Sequence, residues 1–281
     1  MTPNNPLKQY FRQPSIYIRL PSGGDFYPAG TLDMPANREL PVLPMTAVDE
    51  ITYRTPDALF NGSAMVNVIQ SCVPNIKDAW AIPAMDVDSI LVGIRVASYG
   101  HTMELASQCP KCKQEHEFSV DLRSVLDQLQ TPDYTGSVRH GDLEFYFKPM
   151  TYKNLNENNQ MQFEQQKLMS LMPDSEIPDA DKIASISDAL KKLTMITIDA
   201  LCQSIAAVKT PSALVTEPDF IRELMQNCDR NVFNSIRDHI VKLKTSSELQ
   251  PLKMQCPEAE CQFDYEQGMT LDMTSFFAAA S

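Results

Sequence analysis

At 281 residues, 43% hydrophobic and 21% charged, the chain has the size and balance of one large or two ordinary globular domains. Its formal charge of −12 repels phosphate and argues against a general nucleic-acid binder, and no stretch approaches the roughly 20 apolar residues of a membrane-spanning helix. The start, MTPNNPLKQYF, lacks the apolar segment of a secretory signal, and seven cysteines, an odd number, point to synthesis in a reducing cytosol.

Residues 1–14 read as a mobile or partner-seeking arm. Ile16 to Leu20 and Glu39 to Leu43 read as two strands of a small sheet, with Pro21-Ser22-Gly23-Gly24 turning the chain after the first. Thr46, with Asp49 and Glu50 close behind, predicts a capped helix start. Thr55-Pro56-Asp57 predicts a second helix closed by Asn61-Gly62, and Met65 to Cys72 a third. Asp86 or Asp88 is expected to cap a fourth, which Tyr99-Gly100 ends. Acids at helix starts satisfy unpaired amides, and this outweighs reading Asp49, Glu50, Asp86 and Asp88 as a paired-carboxylate site. Cys72, Cys202 and Cys228 fall in helix-like stretches and are expected in the core.

Two later stretches carry the chemistry. Cys109-Pro110-Lys111-Cys112 and Cys256-Pro257-Glu258-Ala259-Glu260-Cys261 both open Cys-Pro, and each lies between strand-like segments, Thr102 to Ala106 and Phe118 to Leu122 for the first. Ligands two to four residues apart let one backbone knuckle supply two thiolates, and two knuckles complete a tetrahedral structural site. Cys109, Cys112, Cys256 and Cys261 are therefore the expected ligands of a structural Zn²⁺ in a ribbon-like module. An iron–sulfur cluster uses the same four thiolates and stays open at this point. The charged residues Lys111, Lys113, Glu258 and Glu260 argue against four unrelated core cysteines. A redox Cys-x-x-Cys would open a helix, and a strand follows here. His101 and His116 lie near the first knuckle, where a surface or supporting role is favoured over ligation.

The knuckles are far apart in sequence, so something globular must lie between them. A short helix over Leu122 to Leu129 and a hairpin from Ser137 to His140 and Leu143 to Lys148 come first, with His140 in the hairpin. Pro149-Met150-Thr151 echoes Pro44-Met45-Thr46, which points to one shared geometry, a strand turning into a capped helix. From Thr151 to Leu243 the spacing predicts helices throughout: a polar one over Asn154 to Met172, an acidic loop over Pro173 to Asp181, an apolar helical series from Ile183 through Ile205 and Val208, and two more that include Phe220 to Met225 and Val232 to Leu243. His239 is expected to pack or face solvent on the last of them. Leu249 to Met254 returns as a strand, and exposure of Phe276-Phe277 in the tail would suggest docking on a neighbour. The fold class is α+β: an N-terminal unit over 1–100, a metal-ribbon module from 101–122 and 248–267, a hairpin with a bundle-like helical insertion over 123–247, and a tail over 268–281.

No Gly-x-Ser-x-Gly elbow or phosphate-binding glycine loop is present, so the chain is not expected to be an enzyme. Several stretches together resemble a known family: Phe26-Tyr27-Pro28, Leu43-Pro44-Met45-Thr46-Ala47-x-Asp49-Glu50, Arg54-Thr55-Pro56-Asp57-Ala58-Leu59-x-Asn61-Gly62, Cys72-Val73-Pro74-x-Ile76, Asp86-x-Asp88 and Ile94-Arg95-x-Ala97-Ser98-Tyr99-Gly100, followed by the first knuckle. The pattern is similar to the T-even-type baseplate hub proteins of contractile-tailed bacteriophages. The resemblance implies a structural protein of the tail baseplate, in the hub or an adjoining wedge, made in the host cytoplasm and carried in the virion. It implies partners among other baseplate and tail proteins in a multi-subunit assembly; no nucleic-acid partner and no membrane-spanning segment are expected, from the charge and the apolar run lengths above. The alternative it leaves is an assembly chaperone absent from the finished particle.

Overall fold

The computed structural model describes residues 5–55, 62–171, 179–269 and 276–277. They form a mixed α+β protein whose described elements include eight α-helices and ten strands, the strands paired in small antiparallel sheets. The chain divides into two compact units, one of Met1–Ala79, Asp86–Gln130 and Glu248–Ser281, the other of Trp80–Met85 and Thr131–Ser247. No described helix is long and apolar enough to cross a membrane. The helix expected at Thr55-Pro56-Asp57, most of the loop over 173–181 and most of the tail lie outside the described residues.

In the first unit, β1 (Ile16–Ile18) pairs with β2 (Leu40–Val42) in the expected small sheet, Ile16 opposite Val42. Helix α1 (Ala47–Tyr53) opens on a reciprocal cap: Asp49 N donates to Thr46 Oγ1 at 3.2 Å while Thr46 N donates to Asp49 Oδ2 at 2.8 Å. Helix α2 (Ser63–Cys72) buries Val66, Val68, Ile69 and Cys72. Helix α3 (Ala84–Tyr99) comes very close to the β1–β2 pair, since a Cβ on Gly93 would stand 2.9 Å from Ile18 Cγ2. That closeness needs a residue without a side chain. The described part of the N-terminal arm is held by Arg12, whose guanidinium donates to Pro44 O, Asp49 Oδ2 and Ser71 O. Arg12 thus anchors the base of the expected arm and satisfies the Ser71 carbonyl left open at the end of α2.

Asp86 is also not the cap of α3. The helix begins two residues earlier, and the fully buried carboxylate instead accepts from Ser22 N at 2.8 Å, Ser22 Oγ and Tyr27 Oη at 3.0 Å, tying the loop after β1 to the helix. Burial pushes Asp86 up to about 6 despite these donors, and burial together with Glu248 pushes Asp88 up to about 6. A carboxyl whose pKa is raised by folding favours the native state most below its ordinary value of 3.8 and loses that advantage as pH rises through about 6. Asp88→Asn is therefore expected to add about 1–2 kcal/mol of stability at pH 7 and almost nothing at pH 4. Urea melts of both proteins at the two pH values check this, and a gain that is equal at both would contradict it.

The second unit departs from the sequence expectation. β5 (Ser137–His140) and β6 (Leu143–Phe147) form the predicted hairpin, but the chain from Thr151 is not helical throughout. After α4 (Leu122–Gln128), the short helix expected before the hairpin, helix α5 (Tyr152–Leu171) and helix α6 (Asp179–Gln203) are followed by β7 (Ile205–Lys209), which pairs with β6, and by β8 (Leu214–Val215). The result is a four-stranded sheet in the order β5-β6-β7-β8 rather than a helical bundle. The apolar series through Ile205 and Val208 mimics a continued helix. The ladder wins because β6 offers an open edge and both residues are buried there. Helices α7 (Pro218–Asn227) and α8 (Arg230–Ser247) close the core, bringing Ile221, Met225, Val232 and Ile236 against Phe145, Phe147, Ile205 and Val208. His239 packs its ring on Phe147, centroids 4.5 Å apart.

The echo at Pro149-Met150-Thr151 is one of geometry, as expected. Thr151 and Asn154 reproduce the cap of α1, with Asn154 N donating to Thr151 Oγ1 at 3.2 Å and Thr151 Oγ1 to Asn154 Oδ1 at 2.7 Å. Helix α5 is the exposed polar helix the composition predicts; only Tyr152 and Asn158 are buried among its described side chains.

Candidate metal centre

Two hairpins of the first unit build the site. β3 (Thr102–Gln108) pairs with β4 (Glu115–Asp121), Gln108 opposite Glu115, and carries the first knuckle at its tip. β9 (Leu252–Gln255) pairs with β10 (Asp264–Gln267), Gln255 opposite Asp264, and carries the second. In the first turn Cys109 N donates to Gln114 O and Lys113 N to Cys109 O, both at 2.9 Å. In the second, Cys256 N donates to Phe263 O at 2.9 Å and Gln262 N to Glu258 O at 3.0 Å. The wider cysteine spacing is thus absorbed early in the second turn, and both turns close by the same bond across four residues. The hairpins are tied by Tyr265 Oη donating to Ser107 Oγ at 3.1 Å and by Ser107 Oγ donating to Gln267 Oε1 at 2.9 Å.

The residue after the last cysteine of each knuckle, Lys113 or Gln262, has a positive φ of 63° and 40° respectively. This conformation costs an L-residue roughly 1–2 kcal/mol, and nothing in the cysteine spacing announces it. Lys113→Gly is expected to stabilise the protein by about 0.5–1 kcal/mol, because relief of that strain exceeds the added entropy of glycine. A urea melt that shows a loss instead would mean that the Lys113 side chain contributes more than its backbone costs.

All four predicted sulfurs meet. The Sγ atoms of Cys109, Cys112, Cys256 and Cys261 lie within 4.8 Å of one another, with Cys109 to Cys261 at 3.8 Å and Cys112 to Cys256 at 3.6 Å. A tetrahedral ion with metal–sulfur bonds of about 2.3 Å sets its sulfurs about 3.8 Å apart, so the donor set fits one thiolate-bound ion. No disulfide forms among them. Burial pushes the Cys109 thiol up, but the amides of Cys112 and Lys111 more than offset this and bring it down to about 7. Burial pushes Cys256 up to about 12 and raises Cys261 as well. Four thiols this close cannot all ionise without a cation to hold the charge.

Of the two neighbouring histidines, His116 stands beside the cluster, its Nε2 3.7 Å from Cys256 Sγ, and is not one of the four converging donors. His101 serves elsewhere, its carbonyl accepting from Leu122 N at the far end of the β3–β4 hairpin. Lys111 reaches across the corner, placing its Nζ 5.8 Å from the centre of the Phe263 ring.

The family model described as T4 bacteriophage base plate protein matches residues 42–278. The chain belongs to this family. The matched span holds both knuckles and everything between them, so membership extends well past the stretches that carry the sequence resemblance. For a T4-type baseplate protein it implies a place in the virion tail and assembly with other tail proteins. No curated protein and no solved structure matches the chain.

Proposed function

We propose that this T4-type baseplate protein is a structural subunit of the hub or an adjoining wedge, and that it works by binding its neighbours rather than by turning over a substrate. Membership of the baseplate family over residues 42–278 is the observation that carries this reading. The surface is in keeping with it: Val48 and Ile51, 71% and 70% exposed on successive turns of α1, present an apolar pair to solvent. We assign the ion at Cys109, Cys112, Cys256 and Cys261 as zinc. Sulfurs within 4.8 Å suit a single ion, whereas an iron–sulfur cluster distributes its thiolates over several irons. Four protein ligands leave no open position, so the chemistry such an ion supplies is structural: it locks the two hairpin tips together.

Quantitative mass spectrometry of purified virions tests the function. The expected result is a fixed stoichiometry with the other baseplate proteins. Presence in infected cells but absence from finished particles would replace this reading with that of an assembly chaperone.

A further inference from the structure

Arg95 is a buried cation with no carboxylate partner among the described residues. It lies on α3, 1% exposed, and is among the largest fully buried side chains of the described residues. Its Nη1 donates to the main-chain carbonyl of Phe276, 181 positions along the chain, while its Nε has no hydrogen-bond partner among the described residues. No ion pair among the described residues includes it. What surrounds it is aromatic: its guanidinium carbon is 5.2 Å from the Phe276 ring centre and 5.7 Å from that of Tyr99. Phe277, equally buried, lies 5.6 Å from the ring of Tyr53, itself 1% exposed. The condition set for docking on a neighbour, exposure of these two phenylalanines, is not met: both are buried against their own chain.

A buried guanidinium normally pairs with a carboxylate, because a lone carbonyl returns little of the lost hydration. Phe276 and Phe277 therefore fill the apolar half of this pocket, and no described residue matches the charged half. We propose that the pocket of Tyr53, Arg95 and Tyr99 is a docking site for an aromatic peptide segment that carries an acidic residue, supplied by a neighbouring tail protein, and that Phe276–Phe277 closes it until that segment arrives. The aromatic side chain takes over the place of Phe276, and the carboxylate pairs with the free edge of Arg95. Only the source of the peptide rests on the baseplate reading; the pocket and its preference for acid do not.

Native-state hydrogen exchange on the full-length protein tests the exchangeable plug. The expected result is that the amides of Phe276 and Phe277 exchange at least tenfold faster than those of Ile90 to Ile94 in α3, which marks opening of the tail without unfolding of the unit. Equal protection would overturn the proposal. The probe for the pocket is a synthetic peptide of residues 270–281, compared with the same peptide carrying Ser275→Asp. The acidic peptide is expected to accelerate exchange at Phe276 and Phe277 in the wild-type protein at concentrations at least fivefold below those the parent peptide needs. Arg95→Met should erase that difference while leaving binding of the parent peptide. Equal potency of the two peptides on the wild type, or a preference that survives Arg95→Met, would sink the charge argument. Virion mass spectrometry is unaffected by any of these outcomes, so the two readings fail separately.

Discussion

Cys109→Ser and Cys256→Ser are each expected to release the ion and unfold the paired hairpins, the largest loss of stability anywhere in the molecule. Structural zinc held by thiolates contributes on the order of ten kcal/mol to the module it organises. The second hairpin has little core of its own: β9 and β10 are four residues each, and of their side chains only Met254 is buried. Serine preserves the shape of the turn but is a poor ligand at neutral pH, so the backbone bonds from Cys109 and Cys256 do not rescue the site. Elemental analysis of the purified protein should give one zinc per chain for the wild type and close to none for either variant. Cys72→Ser is the control, since Cys72 is fully buried in α2 and outside the thiol cluster. That variant should lose stability but keep its metal. The same logic sets the pH response. Binding requires thiolates, so metal should leave as pH falls. A wild-type protein free of metal, or a Cys109→Ser protein with undiminished zinc, would refute the assignment.

The thiol cluster was legible from sequence because both corners repeat Cys-Pro between strand-like stretches, and paired spacing of this kind survives any separation along the chain. The caps at Thr46 and Thr151 were legible for a similar reason: each is a bond between residues three positions apart, so the sequence contains both partners. What misleads is anything decided at long range. Ile205 and Val208 continue a helical series, and only the edge of β6, some sixty residues earlier, draws them into a sheet. Asp86 looks like a helix cap because acids favour that place, yet its donors come from Ser22 and Tyr27 in a distant loop. The same holds for Phe276 and Phe277, whose partners Arg95 and Tyr53 lie far upstream. Lys113 and Gln262 form a separate class, since a positive φ is imposed by the turn each closes and leaves no mark on residue type.

Phe145→Ala is expected to cost the second unit about 3–5 kcal/mol. Phe145 is fully buried on β6, opposite Val208 of β7, within a core completed by Ile221, Met225, Val232 and Ile236. Those neighbours come from a sheet and two helices that fix one another's positions, so they cannot collapse far into the space a ring leaves. The single tryptophan, Trp80, belongs to this unit and stacks on Tyr152 at 5.5 Å, which makes its fluorescence a local probe of the loss in urea. Leu214→Ala, at a 60% exposed position on β8, should shift the same transition by less than about 0.5 kcal/mol. The zinc content of Phe145→Ala should equal that of the wild type in the absence of denaturant, because every cysteine of the cluster belongs to the other unit and none of the residues around Phe145 does. A loss below about 1 kcal/mol would show that this core does not hold the ring as described. Loss of metal would show that the hairpins depend on the sheet of the second unit, and the two cores would then have to be treated as one.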